Sequence, residues 1–348
     1  MLLSTLAMQH QQCKNVLNYA AANPKLLNET LPNVGPLVIC GLPRTGSTLL
    51  YNLLACDPNC RAPLTTDMLG ECIPPIPRAN AIEHQRRAFI IDSNQQTIEQ
   101  QIGRPRTVFE SHPRFETEED FRILDQAGIV LPLMFVSPVE HTELHDWFYS
   151  ETNKDFAYDY HKTFLRILNS VDTPRSHWLL KSPEHSLYLD TFLRYYPNTK
   201  LVFTHRRLDD VIPSYCRLVW AYDNIYFDEA DPDSQVLLSA QARRHIDKMI
   251  EHIIKFRIHR SQSNDAPQNE IIDIAYDDLV QQPIQTVRKI YGHFNLRWSH
   301  QFKINMCSWL RNNPQGKQGR HTYRRMELDL TTDADSANHH AVYTNLFL

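Results

Sequence analysis

Short, nearly unbroken apolar runs alternate along the chain with longer stretches in which apolar residues recur every three or four positions. The runs are LVIC at 37–40, WLL at 178–180, KLVFT at 200–204 and EIIDIAY at 270–276. Continuous rather than alternating apolarity predicts strands covered on both faces, as in a parallel sheet. Each run leads into a helical pattern: STLLYNLLACD, with Leu49, Leu50, Leu53 and Leu54 on one stripe, then SLYLDTFLRYYP, DDVIPSYCRLVWAY and DDLVQQPIQTVRKIYGHF. This recurrence predicts a P-loop-like, three-layer α/β fold around a central, mainly parallel sheet. Any ligand should lie beyond the carboxyl ends of the strands.

Two regions break the pattern. Residues 75–170 carry helical periodicity, clear in TEEDFRIL at 117–124 and FAYDYHKTFLRILN at 156–169, and predict a helical insertion shaping a lid or acceptor pocket. Residues 309–348 are rich in Asn, Pro, Gly and Gln and predict a loop-rich C-terminal region. No repeat or low-complexity linker divides the chain, so 1–348 is expected to be a single domain.

The first strand leads into GLPRTGST at 41–48. The amides from Arg44 through Thr48 are placed to converge at the positive end of the following helix. Ser47 and Thr48 add hydroxyls, and Arg44 adds a charged fork. The pattern reads as an oxyanion cradle; the plainer reading is a tight turn with Ser47 capping a helix. A nucleotide-hydrolase loop of the G-x-x-x-x-G-K-[ST] kind requires lysine where Ser47 stands, which argues against an ATP or GTP hydrolase.

Composition narrows the partners. With 348 residues, 42% hydrophobic, the chain is long enough for a large core, and a net charge of -4 gives no basis for nucleic-acid binding. Any anion-binding potential must therefore be local. The odd count of 7 cysteines, with no CxxC pair and no match for Cys56 and Cys60 as zinc ligands, predicts thiols in a reducing compartment. The N-terminus lacks a secretory pattern, and GIVLPLMFVSPV at 128–139 is too short to span a bilayer and contains Pro132. The expectation is a soluble cytoplasmic protein with no metal site, since no ligand set demands zinc or magnesium.

GLPRTGSTLLYNLLACDP resembles the 5′-phosphosulfate-binding segment of the sulfotransferase superfamily, and FTHRRLDDVIPSY resembles its 3′-phosphate-binding segment. The order LPRTGSTLL, long insertion, LLKSPEH, THRR and late GRHTY, over residues 36–330, looks like the broad sulfotransferase-domain group of bacteria and some invertebrates. The resemblance implies 3′-phosphoadenosine 5′-phosphosulfate (PAPS) as donor and 3′-phosphoadenosine 5′-phosphate (PAP) as product. Arg44, Thr45, Gly46, Ser47 and Thr48 match its first site, and Arg206 and Ser214 its second. An acidic residue and a proline commonly follow the second-site arginine, whereas this chain has Arg207 and Leu208, so Arg206 and Arg207 both stay open. By analogy with a loop that closes over the 3′-phosphate in related enzymes, Lys317, Gly319 and Arg320 are further candidates, with an ordinary basic turn as the equal alternative.

Sulfuryl transfer needs charge stabilisation, in-line placement and removal of a proton from the acceptor. Arg44 stands where many relatives have lysine, Lys181 is the second cation expected near the transfer path, and Ser182 is expected to orient the donor. The resemblance aligns Asp67 with a frequently acidic position and makes it the first choice of base. Glu71 shares its face if 66–72 is helical. His185 is the alternate base, and His205 is expected to be structural. The resemblance implies as acceptor a hydroxyl or amine of a small molecule, lipid or glycan. The rings Trp147, Phe148, Tyr149, Phe156, Tyr158 and Tyr160 permit a pocket, although core packing is the expected use of most. A nucleotide kinase with an altered phosphate loop and a catalytically silent nucleotide-binding scaffold are the alternatives. No heptad pattern indicates an oligomeric state.

Overall fold

The computed structural model describes residues 2–102, 114–137, 142–227, 232–262, 270–314 and 334–348. Strands β1 (Leu37–Gly41), β2 (Leu179–Lys181), β3 (Lys200–His205) and β4 (Ile271–Ala275) pair in parallel in the order β2-β1-β3-β4. Ile39 lies level with Lys181 on one side and Val202 on the other, and Gly41 lies level with Thr204. Because β1 has β2 and β3 on opposite sides, the topological switch point falls at its carboxyl end, where the loop at 41–48 begins.

The helices are α1 (Leu2–Ala22), α2 (Ser47–Ala55), α3 (Thr65–Met68), α4 (Ala81–Ile102), α5 (Phe121–Gln126), α6 (Pro132–Val136), α7 (Thr142–Tyr149) and α8 (Asp155–Asn169). They continue with α9 (Leu189–Tyr195), α10 (Leu208–Asp223), α11 (Pro232–Gln262), α12 (Tyr276–Gln281), α13 (Pro283–His293), α14 (His300–Asn312) and α15 (Ala334–Phe347). Successive strand side chains enter opposite layers. Leu37, Ile39, Leu179 and Val202 pack with Leu50, Leu53 and Leu54 of α2, Val287 of α13 and Phe302 of α14. Val38, Cys40, Leu180 and Phe203 pack with Phe164 and Leu168 of α8, Val211 of α10 and Ile250 of α11. Both faces are thus dry, which explains the unbroken apolarity of the strand sequences.

The described parts of the stretch from α4 to α8 are mainly helical, as the periodicity implies. Phe148, Tyr149, Tyr158 and Tyr160 are buried in the core, whereas Trp147 and Phe156 stack on each other at the surface, 6.4 Å apart. Two elements differ from the sequence expectation. The pattern DDLVQQPIQTVRKIYGHF breaks at Gln282 (φ -135°, ψ 60°), because a residue before proline is pushed out of the α conformation. The C-terminal segment expected as loop contains α14 up to Asn312 and all of α15. Tyr343 of α15 is fully buried, and the Phe347 ring lies parallel to His205 at 4.5 Å, so tertiary packing outweighs a polar composition.

Candidate active site

The loop between β1 and α2 is built on left-handed backbone: Gly41, Arg44 and Gly46 have φ of +103°, +66° and +85°. At Gly46 a Cβ would sit 3.0 Å from the Tyr276 ring as well as being strained, so only glycine fits. Arg44 carries the same conformation without that freedom, at a cost of about 1–3 kcal/mol, which the surrounding structure must hold in place. Part of the hold comes from Thr45, whose buried hydroxyl donates to Leu42 O (2.7 Å) and meets Thr204 Oγ1 of β3 at 2.6 Å.

Residues from three strand ends meet at this loop. Arg44 Nε donates to Ser214 Oγ of α10 (3.0 Å), and Arg206 Nη1, just past β3, donates to Arg44 O (3.3 Å). The Arg206 guanidinium lies over the Tyr276 ring at 4.3 Å and 3.5 Å from Asp210. Arg207 instead faces solvent, its side chain 76% exposed beside Asp209, whereas the Arg206 side chain is 16% exposed and turned toward the loop. From the end of β2, Lys181 Nζ donates to Thr48 Oγ1 (3.0 Å) and forms an ion pair with Glu119.

A buried acidic layer lies behind Lys181. Ser182 Oγ donates to Glu184 Oε2 (2.8 Å). Burial, reinforced by the nearby Glu119 charge, pushes the Glu184 carboxyl from 4.5 up to about 7. Asp120 Oδ1 accepts from Lys181 N (2.7 Å), and Oδ2 accepts from His185 Nε2 (2.8 Å) and His161 Nε2 (2.9 Å). With those protons on Nε2, the Nδ1 atoms accept from Tyr158 OH (3.0 Å) and Tyr196 OH (2.7 Å). Burial alone would raise the Asp120 carboxyl, but the two imidazoles outweigh it and hold the group well below the usual range. Asp120, His161 and His185 form the compact metal-ligand-type cluster among the described residues, and every one of its imidazole nitrogens already has a partner within the protein.

The acids expected as bases lie differently. Asp67, 1% exposed, accepts from Leu64 N (3.0 Å) at the start of α3 and faces fully buried Arg61 at 3.7 Å. Burial raises its carboxyl pKa against the opposing Arg61 charge. The shared helical face proposed for Asp67 and Glu71 does not form, because α3 ends at Met68 and Gly70 turns left-handed (φ +66°). Glu71 is instead a surface residue, paired with Arg86 at 2.6 Å and 57% exposed. His185 is fully buried with both ring nitrogens engaged. His205 holds Asp273 and Tyr343, each at 2.8 Å, in the structural place expected for it. Lys317, Gly319 and Arg320 lie outside the described residues.

Glu119, Asp120 and Glu184 meet the candidate site at Lys181 and Ser182, and sequence reasoning passed over all three. TEEDF carries the first two but reads as the start of a helix, and Glu184 sits inside KSPEH beside the lysine that was singled out. The available signal was a carboxylate within three residues of a strand-end cation, a pattern common enough on surfaces to carry little weight by itself.

The α/β fold agrees with comparisons to known proteins. The family model described as "Sulfotransferase family" matches residues 36–300, and the chain belongs to that family. Sulfotransferase STF9 from Mycobacterium avium superposes with a TM-score of 0.76 at 23% identity, over 95% of this chain and 81% of that one. Sulfotransferase STF1 from Mycobacterium tuberculosis H37Rv superposes with a TM-score of 0.69 at 21% identity, over 84% of this chain and 76% of that one. At these identities the likeness concerns the fold. No curated protein matches the sequence.

Proposed function

We propose that this sulfotransferase-family protein transfers a sulfuryl group from PAPS to a hydroxyl or amine acceptor by in-line displacement. One observation carries the reading: Arg44, Arg206 and Ser214 interlock beside a phosphate-type loop that Lys181 reaches from a third strand. This grouping offers cations and hydroxyls to an anion with two separated phosphates, and the glycine conformations leave the loop amides free of side-chain crowding. Arg44 and Lys181 would stabilise charge developing on the transferring group and the departing phosphate. Arg206 and Ser214 would take the 3′-phosphate. For the proton, Glu184 is the better candidate than Asp67: its carboxyl, raised to about 7, sits beside the strand-end lysine, whereas Asp67 is paired with Arg61 at the root of α3.

The acceptor side is assigned to the helical insertion, and the acceptor class to a small molecule, lipid or glycan. No described helix is long and apolar enough to cross a membrane, and all 7 cysteines are unpaired, which supports a reducing, cytoplasmic setting. A kinase reading suffers from Ser47 standing where the phosphate-loop lysine would be.

Ligand-dependent melting tests the donor. PAP should raise the melting temperature more than equal concentrations of ADP or AMP, because only PAP fills both anion sites. Equal shifts from all three would remove the 3′-phosphate site and with it the donor assignment.

A further inference from the structure

Asp120 is tied to Lys181 in both directions. Asp120 N donates to Lys181 O (3.2 Å), while Asp120 Oδ1 accepts from Lys181 N (2.7 Å). Lys181 is the last residue of β2, an outer strand of the four-stranded sheet. On its inner side β1 holds it, with Ser182 N donating to Ile39 O (3.3 Å). Asp120 supplies the matching hold on the outer side, where no further strand pairs among the described residues. The preceding residue, Glu119, is the ion-pair partner of the Lys181 ammonium. A single dipeptide therefore fixes the root of the lysine through Asp120 and its tip through Glu119.

The dipeptide is itself immobilised. The second carboxylate oxygen of Asp120 takes N–H groups from His161 of α8 and His185 after β2, and each imidazole is backed by a tyrosine hydroxyl. Asp120, His161 and His185 are all fully buried. Three donors to one carboxylate in a dry setting form a stiff, directional network, since each bond is charge-assisted and cannot be replaced by water. A helix of the insertion, the sheet edge and the 3-10 turn at Pro183–Leu187 thus converge on the main chain of one lysine.

We propose that Asp120 is a positioning residue for sulfuryl transfer, holding Lys181 and Glu119 in register with Thr48 of the phosphate loop through a carboxylate clamped by His161 and His185. The inference rests on the transfer reading above and adds how its lysine is aimed. Asp120 itself does not touch the donor in this role. Its effect passes through the lysine, whose displacement by about 1 Å would cost on the order of 100-fold in rate.

The test is a double-mutant cycle on the full chain with Asp120→Asn, Lys181→Ala and the double variant. The readouts are release of labelled sulfuryl from PAPS to 2-naphthol or to water, PAP affinity and melting temperature. Asp120→Asn should lower kcat about 100-fold with PAP affinity within about 3-fold, and it should lower kcat less than about 3-fold further in the Lys181→Ala background. Equal proportional losses in both backgrounds would overturn the positioning role and leave a general contribution to the fold. Should Asp120→Asn not fold, His161 provides the second route. His161→Gln retains an N–H donor and should keep most of the kcat that His161→Leu loses, and equal losses in the two would also overturn the proposal. A wild-type protein that binds PAP yet transfers to neither naphthol nor water sinks the transfer reading itself, and the positioning role falls with it.

Discussion

The two ends of β2 each carry a buried cation beside a carboxylate, and the two cations hold different kinds of partner. At the start, the segment at Arg61 docks on the strand, with Arg61 N donating to His177 O (3.1 Å) and Leu179 N donating to Arg61 O (2.8 Å). The Arg61 guanidinium lies over the Trp178 ring at 4.9 Å, donates to Leu168 O (2.6 Å) near the end of α8 and to Asp172 O, and faces Asp67. At the far end, Lys181 meets the side chains of Thr48 and Glu119. The Arg61–Asp67 side chains are 0% exposed on both sides, whereas Glu119 beside Lys181 is 14% exposed. Burial and charge pairing are common to both, so neither marks a site. What separates them is the kind of partner: main-chain carbonyls that close a helix end cannot be given up, while hydroxyl and carboxylate side chains can be exchanged for a ligand.

The sharpest way to break this comparison is to truncate both cations. Arg61→Ala should cost about 3–5 kcal/mol in denaturant unfolding, because it leaves the Asp67 carboxylate buried without its partner and the Leu168 and Asp172 carbonyls without this donor. Lys181→Ala should lower turnover about 100- to 1,000-fold, the scale of removing one preorganised charge stabiliser, with a much smaller loss of stability. If Arg61→Ala melts like the wild type, or if Lys181→Ala unfolds the chain, the division between a structural and a functional end is wrong.

Why one end was legible in the sequence and the other was not follows from the same contrast. The strands and the phosphate-type loop were readable from apolar runs and glycine spacing, Lys181 from its place at a strand end, and Arg206 and Ser214 only through the family resemblance; parallel topology brings all of them to one edge of the sheet. The choice between Arg206 and Arg207 was not, since adjacent side chains leave the backbone in different directions and only the Tyr276 ring shows which one turns inward. Asp67 was read as a base because it is an acid at a suggestive position. Its partner Arg61 lies six residues earlier in an unremarkable segment, and nothing local announces that the two are buried together. The Glu119–Asp120 clamp depends on docking of the insertion against the sheet edge, a long-range packing event with no periodic signature. Helix α15 was missed for a related reason: its composition is polar, and its buried Tyr343 finds its place through long-range packing in the core and the bond to His205.

Glu184→Gln sharpens the functional end. Turnover at subsaturating acceptor should rise about tenfold per pH unit toward pH 7 in the wild type and level off above it, as the carboxyl raised to about 7 loses its proton. The variant should lose at least about 100-fold of the plateau and flatten the profile below it. Stability should move the other way. A carboxyl whose pKa rises on folding contributes fully below its unfolded value, near 4.5, and that contribution is lost as pH climbs through about 7. The glutamine variant should therefore unfold with less pH dependence between those values. A variant that retains both the rate and its pH profile would return the base to another residue.

Asp67→Asn should have the smallest effect of these changes, and it bears most directly on the expectation that Asp67 is the base. Asparagine retains an oxygen for the Leu64 N–H, so α3 keeps its first hydrogen bond, and the carboxylate whose charge burial disfavours is gone. Against this, Arg61 loses the charge that faces it, while its donation to the main-chain carbonyls of Leu168 and Asp172 stays in place. The opposing terms predict a stability change of about 1–2 kcal/mol and turnover within about 3-fold of wild type. If turnover instead collapses while the melting temperature and PAP affinity hold, the buried pair at the start of β2 opens toward the acceptor during the reaction. Asp67 would then take the proton, and Glu184 would be left to set the field around Lys181.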